Sequence, residues 1–174
     1  MWRLQGDERR LRPGGDPARC PWSWLARHLR ARDTVGSGSD TGPLLNWADL
    51  NAANVERVAQ LLVREACGAT SIDGAGRDDA QDLRHDGPSG LTIFEVKSFT
   101  KRLTKNQQRQ ILKSLSRAVE LHHPYRWVLV IPLNPSPAEL AWFDGLHAKF
   151  PGLELEWYGL DWLDGKIAGR AGRR

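Results

Sequence analysis

The sequence predicts an α/β protein with a central mixed β-sheet flanked by helices. Three observations carry that reading: a helical apolar period from Ala52, a densely apolar strand from Leu91 to Phe99, and a second helical period near Thr104 that leads into another apolar strand at Arg126. The order helix, three strands, helix, strand, helix, strand calls for a sheet covered on both sides. With 174 residues, 40% apolar and 26% charged, the chain suits one globular domain.

Residues 1–43 are rich in Arg, Gly, Pro, Asp and Ser and read as a flexible arm; only Trp22 to Leu29 has amphipathic helical spacing there. The folded domain is expected over residues 44–165, followed by a basic Gly-rich tail from Lys166 to Arg174. In the first helix, Val55, Val58, Ala59, Leu62, Val63 and Ala66 form one apolar stripe, and Gly68 suits the position after its end. Glu56 and Glu65 flank that stripe on opposite shoulders, and from position alone both read as solvated edge residues.

Ala69 to Asp73 and Asp79 to Arg84 read as strands separated by a turn at Gly74 to Gly76. A second turn, His85 to Gly90, leads into Leu91 to Phe99. There Phe94 and Val96 face one side and Leu91 and Ile93 the other, which marks a central strand buried on both faces. The next helix, about Thr104 to Leu121, buries Leu112, Leu115, Ala118 and Val119. Arg126 to Ile131 is a buried strand ended by Pro132, followed by a helix from about Ala138 to Lys149, a strand Leu153 to Trp157, and a short turn or helix with Trp162 and Leu163. Trp127, Trp142, Trp157 and Trp162 sit in apolar segments, which favours core packing over base stacking.

Charge is uneven. Between Lys97 and Arg126 the basic residues are Lys97, Lys101, Arg102, Lys105, Arg109, Lys113, Arg117 and Arg126, against the acid Glu120. Lys105, Arg109, Lys113 and Arg117 recur every four residues, so they form a ridge on one helix face, a pattern suited to a polyanion. No apolar run reaches bilayer length and the N-terminus lacks a signal-peptide core, so a cytoplasmic location without membrane contact is expected. Cys20 and Cys67 show neither a disulfide framework nor zinc-ligand spacing.

The chemistry concentrates at the exit of the central strand. Strand alternation puts Glu95 and Lys97 on one face, and pairing with the preceding strand brings Asp82 beside them. Two close carboxylates offer the hard oxygen ligands that Mg²⁺ or Mn²⁺ prefers, with the Val96 carbonyl as a further ligand. Lys97 suits holding or deprotonating an attacking water and offsetting charge on a phosphate. The plainer reading is an ordinary salt bridge in which Lys97 joins Asp82 and Glu95.

Gly76-Arg-Asp-Asp-Ala-Gln-Asp82, followed by Phe94-Glu95-Val96-Lys97, resembles the PD-(D/E)XK, or restriction endonuclease-like, nuclease superfamily and most closely its Mrr-type branch. Ala80 and Gln81 depart from the residues usual there, and Asp78 and Asp79 are further acids nearby; strand parity and the match both favour Asp82. The resemblance implies a restriction endonuclease-like three-layer sandwich, with Asp82 and Glu95 as metal-binding acids and Lys97 as the lysine. Val55-Glu56 stands where the first helix of the family carries its glutamate, which adds Glu56. Gln107 resembles a glutamine on the following helix of related exonucleases, although Ile111 replaces the tyrosine four residues on.

The function so implied is Mg²⁺- or Mn²⁺-dependent endonucleolytic cleavage of double-stranded DNA, leaving a 5′-phosphate, in restriction or anti-phage defence. Lys101, Lys105, Arg109, Lys113 and Arg117, with support from Gln107, are the expected DNA contacts. Duplex breaks would require two copies or a partner. The competing expectations are a nucleic-acid-binding module that does not cleave, and an interaction domain of a larger protein.

Overall fold

The computed structural model describes residues 44–71 and 82–171. The Trp22 to Leu29 helix, the Gly74 to Gly76 turn, and Asp78 and Asp79 lie outside the described residues. Helix α1 (Ala52–Cys67) starts where the Asn51 side chain accepts the Asn54 N–H, and stops at Gly68, whose φ of 63° is left-handed. Val55, Val58, Ala59, Leu62 and Val63 are buried as expected, whereas Ala66, in the last turn before Gly68, is exposed.

Five strands follow: β1 (Thr70–Ser71), β2 (Leu83–Gly87), β3 (Gly90–Val96), β4 (Arg126–Val130) and β5 (Glu154–Tyr158). They form one sheet in that order, antiparallel from β1 to β3 and parallel from β3 to β5, so β3 is central. The connection between β2 and β3 is tighter than the sequence suggests, only Pro88 and Ser89. Gly90 permits it: its φ is 122°, and a Cβ there would meet the Tyr125 Cβ at 2.9 Å. At the other end β3 stops at Val96 rather than Phe99. The Lys97 N–H still reaches the Val130 carbonyl at 2.9 Å, but the next ladder donor would come from Pro132, which has no N–H.

Helix α2 (Lys105–His122) joins β3 to β4, and α3 (Pro137–Asp144) joins β4 to β5. Parallel crossovers advancing in one direction place their helices on one face. There Ile93, Trp127, Leu129 and Leu155 pack with Ile111, Leu115, Ala118, Phe143 and Leu146. Strand alternation turns Phe94, Val96, Val128 and Val130 to the opposite face, where α1 lies against β1, β2 and β3, and α4 (Leu160–Ala171) lies against β5 and α1.

Two further expectations change. The tail expected from Lys166 is helical through Ala171, because Leu163 and Ile167, one turn apart, are both buried and Arg170 pairs with Glu65. Gly165 and Gly169 conceal that helix in the sequence, and tertiary packing outweighs their low propensity. The helix expected to reach Lys149 ends at Asp144, with turns over residues 145–149. Trp127 is fully buried and Trp142 and Trp157 pack against the same core, Trp157 meeting Phe143 edge-on, as expected; Trp162 is instead half-buried, stacked on Tyr158 at 4.3 Å under Lys166. Among the described residues no helix is long and apolar enough to cross a membrane.

Candidate active site

The register of β2 on β3 sets Leu83 opposite Phe94, so one step further Asp82 stands opposite Glu95. Directly opposed residues share a face of the sheet. Asp82 lies just ahead of β2 rather than within it, and its carboxylate accepts the Val96 N–H at 2.7 Å. Because the Lys97 N–H points to β4, the Val96 carbonyl points to the β2 side, toward Asp82.

Glu95 is 3% exposed on the α2 face of the sheet, and its Oε1 lies 2.5 Å from the Lys97 Nζ. Burial, the Glu95 charge next to it and, more weakly, Glu56 push the Asp82 carboxyl up to about 6, against the opposing pull of the Val96 N–H and Lys97. Burial alone would lower Lys97, but the contact with Glu95 and the charges of Asp82 and Glu56 raise it above the ordinary lysine value. Lys97 is therefore a firmly held ammonium. It can orient a water or offset anionic charge, whereas the base role expected as an alternative would require it to lose its proton from among three carboxylates.

Glu56 approaches the same strand exit from the α1 face. Its Oε1 accepts the Ser98 hydroxyl at 3.0 Å, and its charge is felt by both Asp82 and Lys97. Glu65, the other glutamate of α1, is tied to Arg170 near the far end of the helix. Three separate elements thus bring Glu56, Asp82, Glu95 and Lys97 into one electrostatic neighbourhood. Sequence reasoning missed Ser98; its signal was parity, since Ser98 follows Phe94 and Val96 onto the α1 face.

Lys101, Lys105, Arg109, Lys113 and Arg117 are all exposed. Helix α2 begins just beyond the strand exit and runs back along the sheet, so Lys101 and Lys105 lie at the site end and Arg117 at the far end. The ridge is partly offset at its far end, where Glu120, one turn on, pairs with Arg117 at 3.2 Å. The Gln107 side-chain oxygen is occupied in a capping box, accepting the Thr104 N–H at 2.8 Å and the Thr104 hydroxyl at 3.0 Å. That cap accounts for Gln107 structurally.

The segment between Lys97 and α2 is also held from α3. Buried Glu139 accepts from the Leu103 N–H, the Ser136 N–H and hydroxyl, and Arg102. The sequence signal was present, since Ser136-Pro-Ala-Glu139 has capping-box spacing.

The donor set suits a hard divalent cation. Among the described residues no three His, Cys, Asp or Glu side chains group as a metal cage. Mg²⁺ does not require one: it binds through one or two carboxylates and keeps several waters. Asp82 and Glu95 are such a pair, with the Val96 carbonyl on the Asp82 side; burial first and the Glu95 charge second raise the Asp82 carboxyl, and a cation bound between the two would favour its ionised form. No family model, curated protein or solved structure matches the chain.

Proposed function

We propose that this chain is a metal-dependent DNA endonuclease domain of the PD-(D/E)XK, restriction endonuclease-like type, closest to the Mrr branch. The observation that carries the proposal is the meeting of Glu56, Asp82, Glu95 and Lys97 at the exit of β3, delivered by α1, the start of β2 and β3 itself. Two acids beside an ammonium, with an exposed basic helix leading away, suit an anionic substrate that is hydrolysed rather than only bound.

Asp82, Glu95 and the Val96 carbonyl would hold Mg²⁺ or Mn²⁺. Such a cation supplies Lewis-acid polarisation of a phosphate oxygen and a more acidic water. Lys97 donates hydrogen bonds from the Glu95 side, orienting the attacking water and offsetting the charge that builds on the phosphate. Glu56, from the other side, provides an acceptor for water. The ridge of α2 from Lys105 to Arg117 spans about 18 Å, roughly half a turn of duplex DNA, and suits the phosphate backbone.

One such site cuts one strand, so duplex cleavage needs a second copy or partner domain. Restriction or anti-phage defence in the cytoplasm is the setting this reading proposes. The competing reading, an ordinary salt bridge in which Lys97 joins Asp82 and Glu95, accounts for the 2.5 Å contact with Glu95, but the Asp82 carboxylate accepts the Val96 N–H, and among the described residues Lys97 makes its ion pair with Glu95 and not with Asp82.

The test is incubation of supercoiled plasmid with the protein in Mg²⁺ or in EDTA, with Lys97→Ala in parallel. Nicking that needs Mg²⁺ and vanishes in Lys97→Ala is expected. Absence of Mg²⁺-dependent nicking at high protein concentration would overturn the reading.

A further inference from the structure

We propose that Ser98 is a positioning residue: its hydroxyl aims Glu56 at the strand exit, so that Glu56 serves the site only while the Ser98–Glu56 hydrogen bond is intact. The inference rests on the nuclease reading and adds a residue to it. Lys97 and Ser98 are consecutive, and backbone alternation sends them to opposite faces of the sheet, Lys97 toward Glu95 and Ser98 toward α1. The strand exit thereby gathers an acid from each face through adjacent residues.

Glu56 and Ser98 are 42 residues apart, and the hydroxyl donates to Oε1 at 3.0 Å in a partly buried setting. Among the described residues no other hydrogen bond holds that carboxylate. A glutamate side chain has three rotatable bonds, so without this donor Glu56 would distribute among rotamers, several of which point along α1 into solvent. With Oε1 occupied by Ser98, Oε2 is the oxygen left to accept from a water at the site. The influence of Glu56 on both Asp82 and Lys97 agrees with a carboxylate held in this direction.

A partner that orients a group near a metal site typically changes metal affinity or activity by about 10- to 100-fold when removed. Ser98→Ala is therefore expected to lower kcat for plasmid nicking by about tenfold, with KM for DNA changed less than about twofold, and to weaken Mn²⁺ binding in calorimetry by a similar factor. Ser98→Thr, which retains the hydroxyl, restores both. Ser98→Ala combined with Glu56→Ala is expected to be no worse than Glu56→Ala alone, since the serine acts through the glutamate.

Additive effects of the two substitutions, or a Ser98→Ala protein that matches the parent while Glu56→Ala is impaired, would overturn the proposal. A loss of thermal stability in Ser98→Ala without the kcat and Mn²⁺ changes would also overturn it, by reducing Ser98 to a packing role. Failure of the parent protein to nick DNA in Mg²⁺ sinks the nuclease reading instead. In that case the Mn²⁺ titrations of Ser98→Ala, Ser98→Thr and Glu56→Ala still decide whether Ser98 positions Glu56.

Discussion

Glu139 and Leu103 are 36 residues apart, yet the Glu139 carboxylate accepts the Leu103 backbone N–H at 2.7 Å, tying the segment after Lys97 to the start of α3. Burial alone would raise that carboxyl. Hydrogen bonds from the Ser136 and Leu103 N–H groups, the Ser136 hydroxyl and Arg102 prevail and bring it from 4.5 to about 2. Between those values the unfolded chain binds more protons than the folded one. The contribution to stability is therefore complete above about pH 4.5 and lost as pH falls toward 2, on the order of 3 kcal/mol at most. Urea unfolding of the parent and Glu139→Gln should show a gap at pH 7 that narrows at pH 3. A gap independent of pH would remove the charge from this account.

Asp82 has the opposite sign. Its carboxyl is raised from 3.8 to about 6 by burial and then by Glu95, so the folded state becomes less favourable as pH rises through that interval. Asp82→Asn keeps an oxygen for the Val96 N–H and removes the repulsion. In EDTA at pH 8 its Tm should rise by about 2–5 °C while Mg²⁺-dependent nicking disappears. An unchanged or lower Tm would show that no repulsion is stored between Asp82 and Glu95.

Lys97→Met would leave the buried Glu95 carboxylate without its ammonium, next to Asp82. Removing one member of a buried pair costs several kcal/mol, and the partial exposure of Lys97, 24%, places the expected loss at about 2–3 kcal/mol. Lys97→Arg retains a cation and should recover most of that stability in urea unfolding. Its planar fork does not place a donor where the ammonium sits, so nicking should remain at least about 100-fold below the parent. Recovery of both by arginine would mean that only the charge of Lys97 matters.

The site was largely legible because strand alternation and register are short-range rules. Once β3 was placed by its apolar pattern, Glu95 and Lys97 had to share a face, and strand parity put Asp82 on that face as well, whereas the two-residue connection that sets Asp82 opposite Glu95 was shorter than the expected turn. The helices α1 and α2 were legible for the same reason, each having a stripe of correct period. What escaped depended on contacts between distant segments. The apolar pair of α4, Leu163 and Ile167, lies among Gly and Lys and becomes helical by docking on β5 and α1. The end of β3 depended on Pro132 in the neighbouring strand. Neither the Ser98–Glu56 bond nor the Leu103–Glu139 bond could be read from local spacing, although the capping box around Glu139 could.

The basic ridge makes a separate prediction that does not need cleavage. Phosphate contacts release counterions, so the slope of log K against log salt for duplex DNA falls by about 0.9 for each contact removed. Measured with a Lys97→Ala protein to prevent cutting, Lys105→Ala, Arg109→Ala and Lys113→Ala should each reduce the slope by about that amount. Arg117→Ala should change it less, since Glu120 at 3.2 Å already offsets its charge and it lies at the end of α2 away from the site. If the slope is insensitive to all four, the ridge is a solvated helix face and the substrate reaches the β3 exit by another surface.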